Sequence, residues 1–173
     1  NVYFGDLHGH SNLSFDSYIF GNRLTLDQSY RFAKGESLIH PGGETMQLAV
    51  PLHFAAMTDH AAGFGLHEVC SDPAKPGEGS DFCKRLQNPD ANLFLELRKQ
   101  GEKRPPQSNF ADLVSDGNKV ADYAAMTWQK IVAIAEKHNV PGQFTTFAAY
   151  EYSPPLPDSG KIHRNVIFRN SSV

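Results

Sequence analysis

Two histidines and an acid near the start of the chain are the first residues that could do chemistry. His8 and His10 lie in the run FGDLHGHSNLSFDS, and Asp16 follows six residues after His10. In an extended strand alternate side chains share a face, so both imidazoles can point at one ion, with Asp16 returning from the following loop. An isolated HxH pair is commoner as a surface or core feature than as a metal site. The pattern therefore indicates metal binding only if other ligands converge on it.

Three later segments each place an ionisable side chain at one end of an apolar run. Asp59 and His60 follow one such run, Glu151 ends another, and His163 precedes a third. In α/β folds, ligands gather beyond the carboxyl ends of the strands. We therefore expect His60, Glu151 and the two early histidines to meet in one crevice.

The elements that must position these residues alternate along the chain. Strands are predicted over residues 2–7, 54–58, 144–150 and 165–168. A helix capped by Thr25 or Asp27 should run to residue 34 and end at Gly35. Further helices are predicted over residues 44–49, 91–100 and 119–138, and the last of these has the clearest helical period. This order indicates an α/β fold, with one domain over 1–173 and an insertion at about 61–107.

Composition excludes several classes of function. The 173 residues are 40% hydrophobic and 20% charged, which is typical of one globular domain. The net charge of -3 provides no cationic field for nucleic acid or an anionic membrane. No apolar run approaches the roughly 20 residues of a membrane-spanning helix. An anionic small-molecule substrate would therefore have to be captured locally, by metal.

Two cysteines suggest the compartment. Cys70 and Cys83 bracket a loop rich in Pro, Gly and Ser, without the ligand spacing of a zinc finger. We expect a disulfide rather than two free thiols, worth about 3 kcal/mol in the chain-entropy model. The chain begins with Asn, and strand character starts at once. A removed signal peptide, and so a periplasmic or secreted protein, is the first interpretation. A domain trimmed at its boundary, and a cytoplasmic location, is the second.

Imidazole and carboxylate ligands favour zinc, iron or manganese over calcium. The hypothesis is a metal-activated water that attacks a phosphate ester, which requires no side-chain nucleophile. Ser11 and Ser14 are then interpreted as local backbone hydrogen-bonding groups. Asp59 is predicted to orient a histidine. Arg164 could bind an anionic oxygen or could equally be a solvated arginine.

The motifs HxHSxxSxD, TDH and a later Glu and His resemble the polymerase and histidinol phosphatase (PHP) superfamily of metal-dependent hydrolases. The segments NRLTLDQSYRFAKGE, AYEYS and HRNVIFRN resemble one bacterial branch of uncharacterised function, whose members are often exported. The resemblance implies a distorted (βα)7-type TIM-like barrel of parallel strands, acting as a phosphomonoesterase or phosphodiesterase. It implies two or three divalent ions, drawn from zinc, manganese, iron and magnesium.

The resemblance also implies a ligand set. His8 and His10 would bind the first metal, Glu151 would bridge the first and second, and His163 would bind the second. Asp16 and His60 would hold a third ion or complete the cluster. Glu151, Asp59 and Arg164 are the residues expected to serve catalysis.

The superfamily takes further ligands from a later His and a terminal Asp-x-His, which nothing after His163 supplies. We therefore expect the chain to be the amino-terminal part of a longer catalytic domain, with the other ligands from a missing carboxy-terminal part or another chain. A sulfate-ester or cyclic-amide hydrolase would use the same site. A non-catalytic interaction domain stabilised by metal is the alternative from another class, although such structural sites are usually closed and rich in Cys.

Overall fold

The computed structural model describes residues 1–40, 42–71, 80–102, 117–154 and 162–173. It contains both helices and strands, in agreement with the predicted α/β class. The strands are β1 Gly5–Gly9, β2 Leu38–Ile39, β3 Thr45–Met46, β4 Phe54–Met57, β5 Thr145–Phe147, β6 Ala149–Tyr152 and β7 Arg164–Ile167. The helices are α1 Phe15–Ile19, α2 Leu26–Ala33, α3 Leu66–Ser71, α4 Asp81–Gln87, α5 Ala91–Glu102 and α6 Gly117–His138, with a 3₁₀ turn at Ala61–Gly63.

A three-stranded parallel sheet carries the predicted site. Its strand order is β1, β4, β5, and both pairings are parallel. The carboxyl ends of all three strands therefore lie at one edge. Pairing of β1 with β4 extends to Gly9 opposite Met57, so β1 ends two residues later than the predicted 2–7. His8 consequently lies inside the strand, and His10 follows its end.

Helices α2 and α6 pack against this sheet and form the main core. Thr25 caps α2 in a reciprocal capping box with Gln28, and Gly35 ends the last turn with φ +84°, as its sequence predicts. The 119–138 helix is likewise present, and α6 buries Ile131 and Ala135. Each aliphatic side chain of leucine size removed from water in this way stabilises the fold by roughly 1.5–3 kcal/mol.

A second apolar cluster combines residues of the predicted insertion with Ile19 of α1. It joins α1, α3, α4 and α5, and its buried members are Ile19, Leu66, Val69, Cys70, Phe82, Cys83, Leu86 and Leu93. The disulfide between Cys70 and Cys83 is present, as predicted, and links α3 to α4. Helix α5 was expected, whereas α1, α3 and α4 were not, because helices of five to seven residues span too few turns for a clear apolar period. Residues 72–79 and 103–116 of this region lie outside the described part.

Two predictions of secondary structure are wrong. Residues 44–49 do not form a helix, because Gly43 takes φ +93° and turns the chain so that β2 and β3 pair antiparallel. The predicted strand 144–150 is divided at Ala148, whose carbonyl accepts a hydrogen bond from Phe168 N–H at 2.9 Å. Beyond that point β6 leaves the parallel sheet and pairs antiparallel with β7. The described strands form three separate sheets and close no barrel.

No described helix combines the length and the apolar character that crossing a membrane requires.

Candidate metal centre

The carboxyl edge of the sheet gathers the ionisable residues that the sequence indicates. His10 follows β1, Asp16 lies in the first turn of α1, and His60 follows β4. Glu151 lies in β6, where its N–H donates to the Asp59 carbonyl at 3.0 Å and its backbone forms a parallel bridge with His60. The backbone of β6 thus pairs with the segment that follows β4. This pairing places Glu151 beside residues more than 90 positions earlier in the sequence.

Glu151 lies at the centre of the site. Its side chain is 1% exposed, and its Oε2 atom lies 3.1 Å from Nε2 of both His8 and His10. Nδ1 of His60 lies 3.7 Å from the same oxygen, and Nδ1 of His163 contacts Oε1. Four imidazoles from three separate strand ends therefore surround one buried carboxylate.

A second carboxylate lies on the far side of His60. Nε2 of His60 is 3.2 Å from Oδ2 of Asp16. The ligand atoms form three groups, within each of which all atoms lie no more than 4.8 Å apart. The groups are His8, His10 and Glu151, then His10, Asp16 and His60, and finally His60, Glu151 and His163. All six residues predicted as metal ligands occur in these groups.

Burial and neighbouring charges shift the pKa values of four of these residues. Burial lowers the pKa of His10, helped by the neighbouring charge of His60, and this favours the neutral imidazole that metals bind. Burial also opposes the charge of His60, but the Asp16 and Glu151 carboxylates outweigh it and raise its pKa. The same contact with His60 holds the pKa of Asp16 at about 2 despite partial burial. The histidines and Ser153 similarly outweigh the effect of burial on Glu151 and lower its pKa.

This arrangement fits divalent metal ions. Within the described residues, the ion-pair partners of Asp16 and Glu151 are all histidines, with no lysine or arginine among them. Two carboxylates at least partly removed from water require positive charge close by, from extra protons on imidazoles or from cations. The donor atoms are imidazole nitrogens and carboxylate oxygens, a set suited to zinc, manganese or iron. Both cysteines are in the disulfide and are not donors.

The serines of the first motif make longer-range contacts than predicted. Ser11 Oγ does accept locally, from Leu13 N–H at 3.2 Å, but it also donates to Oδ2 of Asp59 at 2.8 Å. Ser14 Oγ accepts from His60 N–H at 2.9 Å and lies 2.7 Å from Nδ1 of His10. Interpreting both serines as purely local groups was therefore wrong, because the fold brings the chain after β4 against their hydroxyls.

Asp59 supports the site through the backbone of the preceding turn. Its side chain is buried, and Oδ1 accepts from Ser11 N–H at 2.6 Å. Burial raises its pKa to about 6, although the hydrogen bonds from Ser11 and Ser14 act in the opposite direction. The carboxylate thus holds the turn from which His10 and Asp16 project, rather than contacting an imidazole within the described chain.

Arg164 and the remaining histidines are not among the residues of these groups. Arg164 is exposed at the start of β7 and forms no ion pair with a described acidic residue. His138 is buried and contacts Oδ1 of Asp27 at 2.9 Å, joining the end of α6 to the start of α2. His40, His53 and His67, like His138, belong to none of the groups of potential ligands.

Sequence reasoning missed Ser153. Its Oγ lies 2.8 Å from Nδ1 of His60 and donates to Oε1 of Glu151 at 3.1 Å. The signal available was its position two residues after Glu151, which places both side chains on one face of an extended chain.

Comparison with protein families matches residues 1–173 to one family, described as a protein of unknown function (DUF3604). No curated protein and no solved structure matches the chain.

Proposed function

Because the chain belongs to the DUF3604 family, whose description assigns no activity, we propose from its site that it is a metal-dependent hydrolase of phosphate esters. The observation that carries the proposal is that the Glu151 carboxylate belongs to two groups of potential ligands. Shared ligands suit two or three neighbouring divalent ions, an arrangement typical of hydrolytic centres. The absence of cysteine from the described groups argues against a closed structural site.

The contacts around Glu151 and His60 support a ligand assignment. His8 and His10 would bind one ion with Oε2 of Glu151, and His163 would bind a second with Oε1. Asp16 and His60 would hold a third. Bound divalent ions acidify a water molecule and stabilise charge on the attacking and leaving oxygens of a phosphate ester.

The chain's other residues orient and support the ligands. Asp59 holds the turn that carries His10 and Asp16, through its hydrogen bonds to Ser11. The buried position of Glu151 keeps its carboxylate from rotating into water, since both oxygens have partners. Arg164, next to His163 in sequence, would supply a positive charge for an anionic oxygen of the substrate.

Turnover assays test this function. We expect the protein to hydrolyse p-nitrophenyl phosphate or bis(p-nitrophenyl) phosphate, to lose the activity in EDTA, and to regain it with Zn²⁺ or Mn²⁺. Hydrolysis of p-nitrophenyl sulfate or a cyclic amide alone would assign a different ester or amide class. Metal-loaded protein that is inert toward all four substrates would refute the hydrolase and favour a metal-stabilised interaction domain.

Substitution of the central carboxylate tests the site itself. Glu151→Gln should abolish turnover and weaken Zn²⁺ binding. The glutamine amide is neutral, and its nitrogen cannot bind a cation in place of the second carboxylate oxygen. Glu36→Gln is the matched control, since Glu36 is an exposed partner of Arg31 outside the ligand groups. Full activity in Glu151→Gln would remove that residue from the centre.

We further infer a distorted TIM-like barrel of the PHP type, in which the parallel sheet of β1, β4 and β5 forms one part. The helices that cover this sheet and the ligands at its carboxyl edge support that architecture. The disulfide is compatible with an oxidising compartment, which supports a periplasmic or secreted location.

A further inference from the structure

Ser153 connects two of the potential metal ligands through a single hydroxyl group. Its Oγ atom lies 3.1 Å from Oε1 of Glu151 and 2.8 Å from Nδ1 of His60. The backbone holds the three residues in this arrangement, because Glu151 pairs with the chain at residues 59 and 60. Ser153 follows Glu151 at the spacing that returns a side chain to the same face of an extended segment.

Counting donors determines which way these hydrogen bonds run. An ionised carboxylate can only accept, so the one hydrogen of the Ser153 hydroxyl is donated to Glu151. The Ser153 oxygen must then accept from His60, which requires a hydrogen on Nδ1 of His60. When His60 is neutral, its lone pair is therefore on Nε2.

That lone pair faces another acceptor. Nε2 of His60 lies 3.2 Å from Oδ2 of Asp16, and the pair is favourable only with a proton or a cation between the two atoms. His60 could otherwise serve a different ion through Nδ1, which is 3.7 Å from Oε2 of Glu151. Nδ1 is instead hydrogen-bonded to the hydroxyl of Ser153.

We propose that Ser153 is a positioning residue that fixes the Nδ1–H tautomer of His60. It thereby commits Nε2 of His60 to a cation shared with Asp16 and withholds Nδ1 from the Glu151–His163 group. This inference rests on the proposed metal-dependent function, because a neutral His60 with its hydrogen on Nδ1 is favourable beside Asp16 only when a cation lies at Nε2. Hydrogen bonds that set the tautomer of a ligand histidine commonly change metal affinity by roughly 10- to 100-fold.

Imidazole nitrogen spectra read the tautomer directly. Histidine-selective ¹⁵N labelling and long-range ¹H–¹⁵N correlation of the Zn²⁺-loaded protein at mildly alkaline pH show which nitrogen of each histidine carries the hydrogen, and a His60→Gln spectrum assigns the signals. The wild type should show His60 as Nδ1–H. Ser153→Ala should shift His60 toward the Nε2–H form, and Ser153→Thr, which keeps the hydroxyl, should restore the wild-type spectrum.

Ser71→Ala is the matched control. Ser71 makes the same kind of hydroxyl contact with Nδ1 of His67, on α3 and outside the ligand groups. It should alter the His67 signals and leave His60 unchanged. Calorimetric titration with Zn²⁺ should show roughly 10- to 100-fold weaker binding for Ser153→Ala and wild-type binding for Ser71→Ala.

The results separate this role from the hydrolase itself. An Nε2–H form of His60 in the wild type would overturn the proposal without any variant, as would unchanged His60 signals and Zn²⁺ affinity in Ser153→Ala. Wild-type protein with the Nδ1–H form and Ser153-dependent Zn²⁺ binding, but no turnover, would support the role of Ser153 and refute the hydrolase. Turnover without any effect of Ser153 on the His60 tautomer or on Zn²⁺ binding would support the hydrolase and refute the role of Ser153.

Discussion

The Asp59 carboxylate holds the turn between β1 and α1, so its removal should weaken both the fold and the metal centre. Oδ1 accepts from Ser11 N–H at 2.6 Å, and Oδ2 accepts from Ser11 Oγ–H at 2.8 Å. Asp59 is 1% exposed and Ser11 is fully buried, so no water can replace these partners without rearrangement of the turn.

The size of the effect follows from these two hydrogen bonds. A hydrogen bond to a charged group contributes about 1.5–3 kcal/mol, so the loss of both bonds in Asp59→Ala should cost roughly 3–6 kcal/mol. Desolvation, which raises the pKa of Asp59 to about 6, offsets part of that contribution. We therefore expect the lower end, about 3 kcal/mol, against a total of about 5–15 kcal/mol for a typical domain.

Two milder variants separate the contributions of the two hydrogen bonds between Ser11 and Asp59. Asp59→Asn keeps an acceptor for Ser11 N–H and places its amide nitrogen against a hydroxyl that can also accept, so it should cost about 1–2 kcal/mol. Ser11→Ala removes only one of the two bonds and should fall in the same range.

Urea denaturation, followed by the fluorescence of Trp128, the one tryptophan, measures these differences. Because His10 and Asp16 project from the same turn, Zn²⁺ affinity in calorimetry should fall in the same order as stability. A loss of less than about 0.5 kcal/mol in Asp59→Ala, which is the scale of an ordinary surface substitution, would refute this account of the turn. Unchanged Zn²⁺ affinity in a destabilised Asp59→Ala would refute its connection to the metal centre.

Two further predictions concern the helices around the site. Lys137 and His138 hold the pKa of Asp27 below its usual range, so Asp27→Ala should cost about 1–2 kcal/mol above pH ~4. That cost should shrink as pH falls through the lowered pKa of Asp27, because the folded state then loses the charge; a pH-independent difference in urea denaturation from pH ~7 to ~2 would contradict this. Reducing the bond between Cys70 and Cys83, whose sequence separation is 13, should lower stability by about 3 kcal/mol, and denaturation midpoints that match with and without dithiothreitol would show that the bridge contributes nothing.

Local patterns predicted elements whose boundaries depend on adjacent residues. The capping box of Thr25 and the glycine that ends α2 each depend on residues only a few positions apart, and both are present. The apolar period of α6 is long enough to outweigh single exceptions, and the helix forms. The disulfide was predictable because a short loop rich in Pro, Gly and Ser separates the two cysteines.

Prediction failed where a distant segment decided the structure. The apolar run 144–150 is continuous in sequence. In the structure, however, the N–H of Phe168 donates to the carbonyl of Ala148, and the run is divided at that point between two sheets. Short helices in the insertion bury their apolar residues against one another, and no single segment shows that pattern. The hydroxyls of Ser11 and Ser14 found partners 48 and 46 residues away, on the chain after β4.

The amino-acid sequence by itself determined the chemistry available at this site: imidazoles and carboxylates at strand ends, with no thiol among them, because residue type and strand period are local properties. The tertiary structure alone decided which of those side chains contact one another. Glu151 became the central carboxylate, and Ser153 came to occupy one nitrogen of His60, because the backbone of β6 pairs with the residues that follow β4. That register depends on hydrogen bonds between segments about 90 residues apart, which no local pattern encodes.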